Sequence, residues 1–184
     1  MMPLRFAAYL LPLCLLACQG SDPAQPAAPT AAREAVQPDA LKLANFHAPM
    51  AGIWTAGQPT EAQFAQLPTA DIKHVIHMRL ATEKGSGWEE AKAGELGLHF
   101  VRLPIDGDKG LTLDNVKKFA ELLDQTKGEG TLVSCGSSNR VGALFALKAY
   151  WLDGKNADEA MAIGKSAGLT KLEPKVKELL AQPK

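Results

Sequence analysis

The stretch Val133-Ser134-Cys135-Gly136-Ser137-Ser138-Asn139-Arg140-Val141-Gly142 decides how the chain is read. Thr131 to Ser134 has the pattern of a short buried strand, and Cys135 stands at its end. A loop of small residues follows, then Arg140. From Arg140 to Trp151 the chain is apolar nearly all round, broken mainly by Lys148, which marks a helix buried at the centre of a domain. A strand running through a tight loop into a helix aims a thiol and several backbone N–H groups at one spot. Such a spot holds an anion and favours thiolate over thiol.

The flanking sequence repeats the alternation of strand and helix. Gly52 to Thr55 reads as a first strand and Gly57-Gln58-Pro59-Thr60 as a turn. Thr60 with Gln63 forms a capping box that opens a helix. Ile72 to Leu80 reads as a strand with Lys73, Val75, His77 and Arg79 on one face and His74, Ile76 and Met78 on the other. A helix from Trp88 ends at Gly97, a strand runs from Leu98 to Leu103, and Thr112 opens another helix. Asn156 and Glu159 cap the next helix, and Glu173 to Ala181 forms the last. The expected fold is therefore α/β, a three-layer domain whose mainly parallel sheet is flanked by helices. Its ligand site belongs at the carboxyl ends of the strands, near which Cys135, Asp106 and Arg79 all fall. Gly142 is expected to let the central helix lie close on its strand.

The ends of the chain carry different information. One basic residue, Arg5, precedes an apolar run from Phe6 to Ala17 that is too short for a permanent membrane span. The run closes Leu15-Leu16-Ala17-Cys18. This resembles the lipobox of bacterial lipoproteins, in which the cysteine is lipidated and becomes the new N-terminus. The resemblance implies a signal peptide over residues 1–17, a lipidated Cys18, and membrane attachment through that lipid alone. Gln19 in place of an aspartate implies the outer membrane, facing the periplasm. Residues 18–39 are rich in Ala, Pro and Gln and read as a tether. Residues 40–184 have the length of one domain.

Lys and Arg number 20, as do Asp and Glu, so formal net charge is zero and the basic footprint of a nucleic-acid binder is missing. With Cys14 lost in the signal and Cys18 lipidated, Cys135 has no partner for an internal disulfide. In an oxidising compartment a lone thiol is buried or used. A Gly-Ser-Ser-Asn-Arg loop is no apolar burial site, so use is expected.

The local chemistry suits attack on an electrophilic phosphorus or sulfur. Gly136, Ser137, Ser138 and Asn139 keep the loop small, and Arg140 adds a charged fork of donors for an oxyanion. Four pieces then stand in order: Gly57-Gln58-Pro59-Thr60; Val75-Ile76-His77-Met78-Arg79 with Glu83; Leu103-Pro104-Ile105-Asp106-Gly107; and Cys135 through Leu144. Together they resemble the cysteine-dependent tyrosine and dual-specificity phosphatase superfamily, closest to its bacterial branch of beta-lactamase-hydrolase-like phosphatase domains. The resemblance spans most of residues 45–150. It implies that Cys135 forms a phosphocysteine intermediate, that Arg140 clamps the phosphoryl group, and that Asp106 protonates the leaving oxygen, with Asp108 in reserve. The bland reading of both aspartates is turn chemistry.

Three features depart from that pattern. Four residues rather than five separate Cys135 from Arg140, Ser134 replaces the usual histidine, and Val141 replaces the usual hydroxyl. The shorter spacing resembles rhodanese sulfurtransferases, which implies a tighter bowl suited to a persulfide. Three functions stay open: a phosphoester hydrolase, a sulfurtransferase through a Cys135 persulfide, and an anion- or partner-binding module. The implied partner is a small phosphorylated or sulfur-bearing substrate, or a phosphoprotein. Neither chemistry calls for a cofactor. A metal is not expected, because His74 and His77 face opposite ways and neither His47 nor His99 completes a cluster. Arg79, His77 and Asp108 are the remaining candidates for the pocket wall.

Overall fold

The computed structural model describes residues 37–182. The signal peptide, Cys18 and most of the tether lie outside the described residues. The first described element is a 3-10 turn, Pro38–Leu41, with both end residues buried.

Among the described residues five strands and six α-helices follow, with a second 3-10 turn, Leu67–Ala70, between α1 and β3: β1 His47–Met50, β2 Ile53–Ala56, α1 Glu61–Phe64, β3 His74–His77, α2 Glu89–Leu96, β4 His99–Arg102, α3 Leu113–Thr126, β5 Thr131–Ser134, α4 Asn139–Trp151, α5 Ala157–Ser166 and α6 Glu173–Leu180. The strands form one sheet in the order β1-β2-β5-β3-β4. β1 is antiparallel to β2, and the β2–β5, β5–β3 and β3–β4 pairs are parallel. β5 is central and buried along its whole length, as a strand covered on both faces must be.

Two apolar layers cover the sheet. On one face α3, α4, α5 and α6 pack over Ile53, Ile76, Met78 and Val133. On the other, Phe64, Leu67, Ala93 and Leu98 close over Ala56, Val75 and Leu132. The three-layer α/β architecture is as the alternation of strands and helices implies. Both capping boxes form, Thr60 with Gln63 and Asn156 with Glu159. Among the described residues no helix is long and apolar enough to cross a membrane.

The structure differs from the sequence reading in three places. The edge strand β1 is additional; its Pro49 is tolerated because only one side of the strand pairs. β3 is shorter at both ends than the run from Ile72 to Leu80, although the Met78 N–H still donates to the Ser134 carbonyl at 2.8 Å. Gly142 does not serve a helix–strand contact. A Cβ there would lie 2.1 Å from Leu169 N and 2.6 Å from Gly164 O, so the glycine lets α5 and the segment after it close on α4.

Replacing Gly142 by alanine therefore drives a methyl group into backbone atoms. The expected cost is about 2 kcal/mol or more, read as a lower urea midpoint with an unchanged slope. An unchanged midpoint would show that this helix contact is slack.

Candidate active site

Parallel pairing lays residues from several strands at one level. Ser134 on β5 is in register with Ala56 on β2 and His77 on β3, and His77 is in register with Arg102 on β4. One residue beyond this level the chain turns out of the sheet, and Cys135 begins the loop that leads into α4.

Cys135 is 1% exposed and packs with the apolar layer that includes Val133 and Val141. The sequence led us to expect a used thiol rather than a buried one, and the structure places it below the loop. The cause is strand alternation, which turns Cys135 toward α4 while the loop passes over it. It is near enough to act on the Arg140 guanidinium, whose pKa is raised first by the hydrogen bond to Glu83, against burial, and then by Cys135.

Arg140 is held along one edge. Glu83 takes it with both oxygens, at 2.7 Å from Nη1 and 2.9 Å from Nη2. Nη1 also donates to the carbonyls of Ile105 at 2.9 Å and Met78 at 3.4 Å. Nε–H and the second Nη2–H are the donors left over, the edge suited to an anion. Arg79 braces the arrangement, with Nε donating to Glu83 at 2.9 Å, Nη2 donating to the Lys84 carbonyl at 2.7 Å and Nη1 donating to Gln58 Oε1. The hydrogen bond from Arg140 holds the Glu83 carboxyl down to about 2, against a smaller opposing effect of burial.

The loop itself divides its labour. Ser138 is buried in the left-handed conformation, and its hydroxyl donates to the Ala167 carbonyl at 3.0 Å. Asn139 Oδ1 accepts from the Thr170 N–H at 2.8 Å, its hydroxyl at 3.2 Å and the Leu172 N–H at 3.2 Å. Both side chains thus turn away from the expected cradle and anchor it, leaving backbone as what those two positions can offer an anion. The first turn of α4 has no side-chain cap, so its N–H groups stay open toward the loop. Gly136 and Ser137 are exposed, and Ser137 pairs with Gly57 in an isolated bridge.

Beside Arg140 is an opening of about 420 Å³ lined by Leu80, Glu83, Asp106, Gly107, Ser137, Asn139, Arg140 and Leu172, and the buried Cys135 is not part of its wall. Asp106 shares this wall with Arg140. Asp108 is exposed in the adjoining turn and is not part of the lining. Arg79 lies behind Glu83 rather than in the wall. His77, read from sequence as a possible wall residue, is buried beneath the site at 1% exposure because its face of β3 is covered by α2.

His77 belongs to a second, deeper group. Its Nδ1 is 2.8 Å from Ser134 Oγ and its Nε2 is 3.3 Å from Glu89 Oε1. Burial holds its pKa down to about 4; Glu89 pulls the other way, and Arg102, Arg79 and Arg140 reinforce burial. Glu89 is fully buried and accepts from Gln58 at 2.8 Å, Ser86 at 3.1 Å, the Gly87 N–H at 2.7 Å and Arg102 at 2.9 Å. Glu89, Arg102 and Gln58 escaped the sequence reading as site residues. The one available signal was an arginine at the end of each of two neighbouring strand segments, Arg79 and Arg102, with acids nearby. Among the described residues no group of His, Cys, Asp and Glu is placed to hold a metal.

The family model for the DSP-PTPase phosphatase fused to NAD+ kinase matches residues 36–178, a span that takes in this whole site. The chain belongs to that family. It is a cysteine-dependent phosphatase-like hydrolase by membership. Solved structures agree on the fold. A DUF442 phosphatase from Shewanella putrefaciens CN-32 is 23% identical, with 75% of this chain and 89% of that one covered and a TM-score of 0.60. P. aeruginosa TpbA in complex with pTyr is 16% identical, with 80% and 87% covered and a TM-score of 0.53. The core catalytic domain of the PP-IP phosphatase SIW14 from S. cerevisiae, in complex with citrate, is 14% identical, with 75% and 84% covered and a TM-score of 0.60. No curated protein matches the chain.

The Glu83–Arg140 pair gives a signed pH dependence. A carboxyl held below its ordinary 4.5 stabilises the fold above that pH and loses the contribution as pH falls toward about 2. Glu83→Gln should therefore lower the urea midpoint at neutral pH, and the gap from wild type should close as pH drops through that window. A gap independent of pH would show that the ion pair is not its source.

Proposed function

We propose that the chain is an exported phosphomonoester hydrolase working through a thiophosphate on Cys135. The observation that carries this reading is the division of Arg140 into two edges. Glu83 and the Ile105 carbonyl hold one edge. Arg140 lines the opening and interacts with Cys135, so a phosphoryl group held by Nε–H and Nη2–H would be brought toward the sulfur as the loop opens over it.

The chemistry then runs in two displacements. The Cys135 thiolate attacks phosphorus, an S–P bond forms, and the P–O bond to the leaving group breaks. Asp106 gives its proton to the departing oxygen. Water next attacks the thiophosphate, Asp106 takes the water's proton, and phosphate leaves with the thiolate restored. Asp106 is preferred over Asp108 because it lines the opening beside Arg140. Leu80 and Leu172 on the same wall offer an apolar body something to rest against, so an aryl phosphate is the natural first probe; TpbA in its complex holds pTyr.

Sulfur transfer is the second reading, favoured by the four-residue spacing between Cys135 and Arg140. It would need neither Asp106 nor a leaving-group proton. One set of assays separates the readings. With the full chain, hydrolysis of an aryl phosphate should be lost in Cys135→Ser, fall by roughly 10² or more in Asp106→Asn, and stay near wild type in Asp108→Asn. Thiocyanate from thiosulfate and cyanide, without phosphate release, would replace the hydrolase by a sulfurtransferase. Neither product above the Cys135→Ser background would leave an anion- or partner-binding module.

Export rests on the apolar run ending at Cys18, and the lipid is the only membrane attachment proposed. In a bacterial host, labelled palmitate should enter the wild-type chain and not Cys18→Ser; equal labelling would remove the lipoprotein reading.

A further inference from the structure

Beneath the reacting pair lies a polar chain that the proposed chemistry does not use. Ser134, His77 and Glu89 are all essentially without solvent exposure. Ser134 Oγ and His77 Nδ1 are 2.8 Å apart. His77 Nε2 is 3.3 Å from Glu89 Oε1, yet it makes no aligned hydrogen bond and is the one buried side-chain polar atom without a partner among the described residues. A buried orphan of this kind costs free energy, so its persistence asks for a reason.

Charge decides which nitrogen carries the proton. Burial alone would raise the Glu89 carboxyl, but the hydrogen bond from Arg102 and those from backbone keep it below the usual range, so it is an anion. An anion beside Nε2 favours the tautomer with its proton there. Nδ1 is then a bare acceptor, and the Ser134 hydroxyl must donate to it. The charged groups around the ring are Glu89, Arg102, Arg79 and Arg140, and burial with the three arginines keeps it neutral.

We propose that His77 is a positioning residue for the reacting pair: by accepting the Ser134 hydroxyl at Nδ1 it fixes the backbone from which Cys135 projects. Neighbouring residues of a strand point to opposite faces, so tying Ser134 to β3 aims Cys135 toward α4 and Arg140. The second half of the site hangs from the same anion. Glu89 accepts from Gln58, Gln58 accepts from Arg79, and Arg79 donates to Glu83, which grips Arg140. Thiol and guanidinium are thus placed against one buried reference. The inference rests on Cys135 and Arg140 being the reacting groups, as proposed above.

The test uses the full chain and its His77→Ala, Ser134→Ala, double and His77→Asn variants. Iodoacetamide modification of Cys135 is followed by peptide mass spectrometry, so Cys14 and Cys18 do not contribute. The kcat and KM for an aryl phosphate are measured alongside, with urea midpoints to confirm folding. Each single alanine variant should slow alkylation and lower kcat by about tenfold with KM unchanged. The double variant should be no slower than either single one. His77→Asn should recover most of the rate, because its amide oxygen can accept from Ser134 where Nδ1 stood. In the wild type, ring ¹⁵N shifts should show a bare Nδ1 and a protonated Nε2. Wild-type alkylation rates in both single variants, additive losses, or a proton on Nδ1 would overturn the proposal. Alkylation and the tautomer need no turnover, so a wild type that hydrolyses no phosphate would defeat the hydrolase reading and leave this test intact.

Discussion

A fully buried carboxylate, Glu89, is the constraint around which this end of the sheet is organised. Removing such a charge from water costs several kcal/mol unless every lone pair finds a donor. The donors come from far apart in sequence: Gln58 from the turn after β2, Arg102 from the end of β4, and Ser86 and Gly87 from the loop before α2. Glu89 is also the first residue of α2, where the helix dipole favours an anion. Satisfying one charge therefore fixes the relative positions of a turn, a strand end, a loop and a helix. Arg102 also donates to the Arg79 carbonyl at 2.9 Å and lies over the Phe100 ring, so its own charge is held as firmly as the one it neutralises.

The Arg140–Glu83 pair stands nearer the surface and obeys different energetics. Glu83 is 28% exposed, so the pair adds modestly to stability. Its value is directional. A guanidinium free to rotate could spend its donors on any nearby oxygen. With Glu83 and two carbonyls on one edge, Arg140 presents the other edge alone. The carbonyls belong to Met78 and Ile105, each just past a strand end, so the clamp is set by the parallel sheet itself.

Much of this was legible in the sequence, for physical reasons. β5 and α4 were clear because a buried strand and an all-round apolar helix leave apolar stretches, Leu132-Val133 between Thr131 and Ser134, and Val141 to Leu147. The two capping boxes were clear because their signal is local, three residues apart. That Cys135 and Arg140 lie together was legible because the loop between them is short. The edge strand β1 was hidden by Pro49 and by its alternating exposure over only four residues. Glu89 and Gln58 were hidden because what makes them matter is tertiary: a buried acid on a helix reads like a surface acid until its donors are seen. Ser138 and Asn139 were read as small residues of the anion-binding loop; only the fold reveals that their side chains are spoken for by Ala167, Thr170 and Leu172.

That diversion also shapes the start of α4. Ser138 occupies the N-cap position of α4, where a serine would ordinarily turn its oxygen onto the first-turn N–H groups. Here its hydroxyl reaches instead to the Ala167 carbonyl, which also accepts from Thr55 at 3.1 Å. The helix N-terminus is left uncapped and its donors free. The left-handed backbone at Ser138, with φ of 61°, is what a tight turn of this length demands, and the strain is borne by contacts outside the loop. Gly168 makes room for it, since a Cβ there would lie 2.6 Å from Ser138. Asn139 is fixed by the same connection between α5 and α6, and Ser137 by its bridge to Gly57. The shape of the loop is therefore set by the final third of the domain as much as by the residues between cysteine and arginine. Anchors outside the loop, in the α5–α6 connection and at Gly57, thus decide how wide four residues stand open, alongside their number.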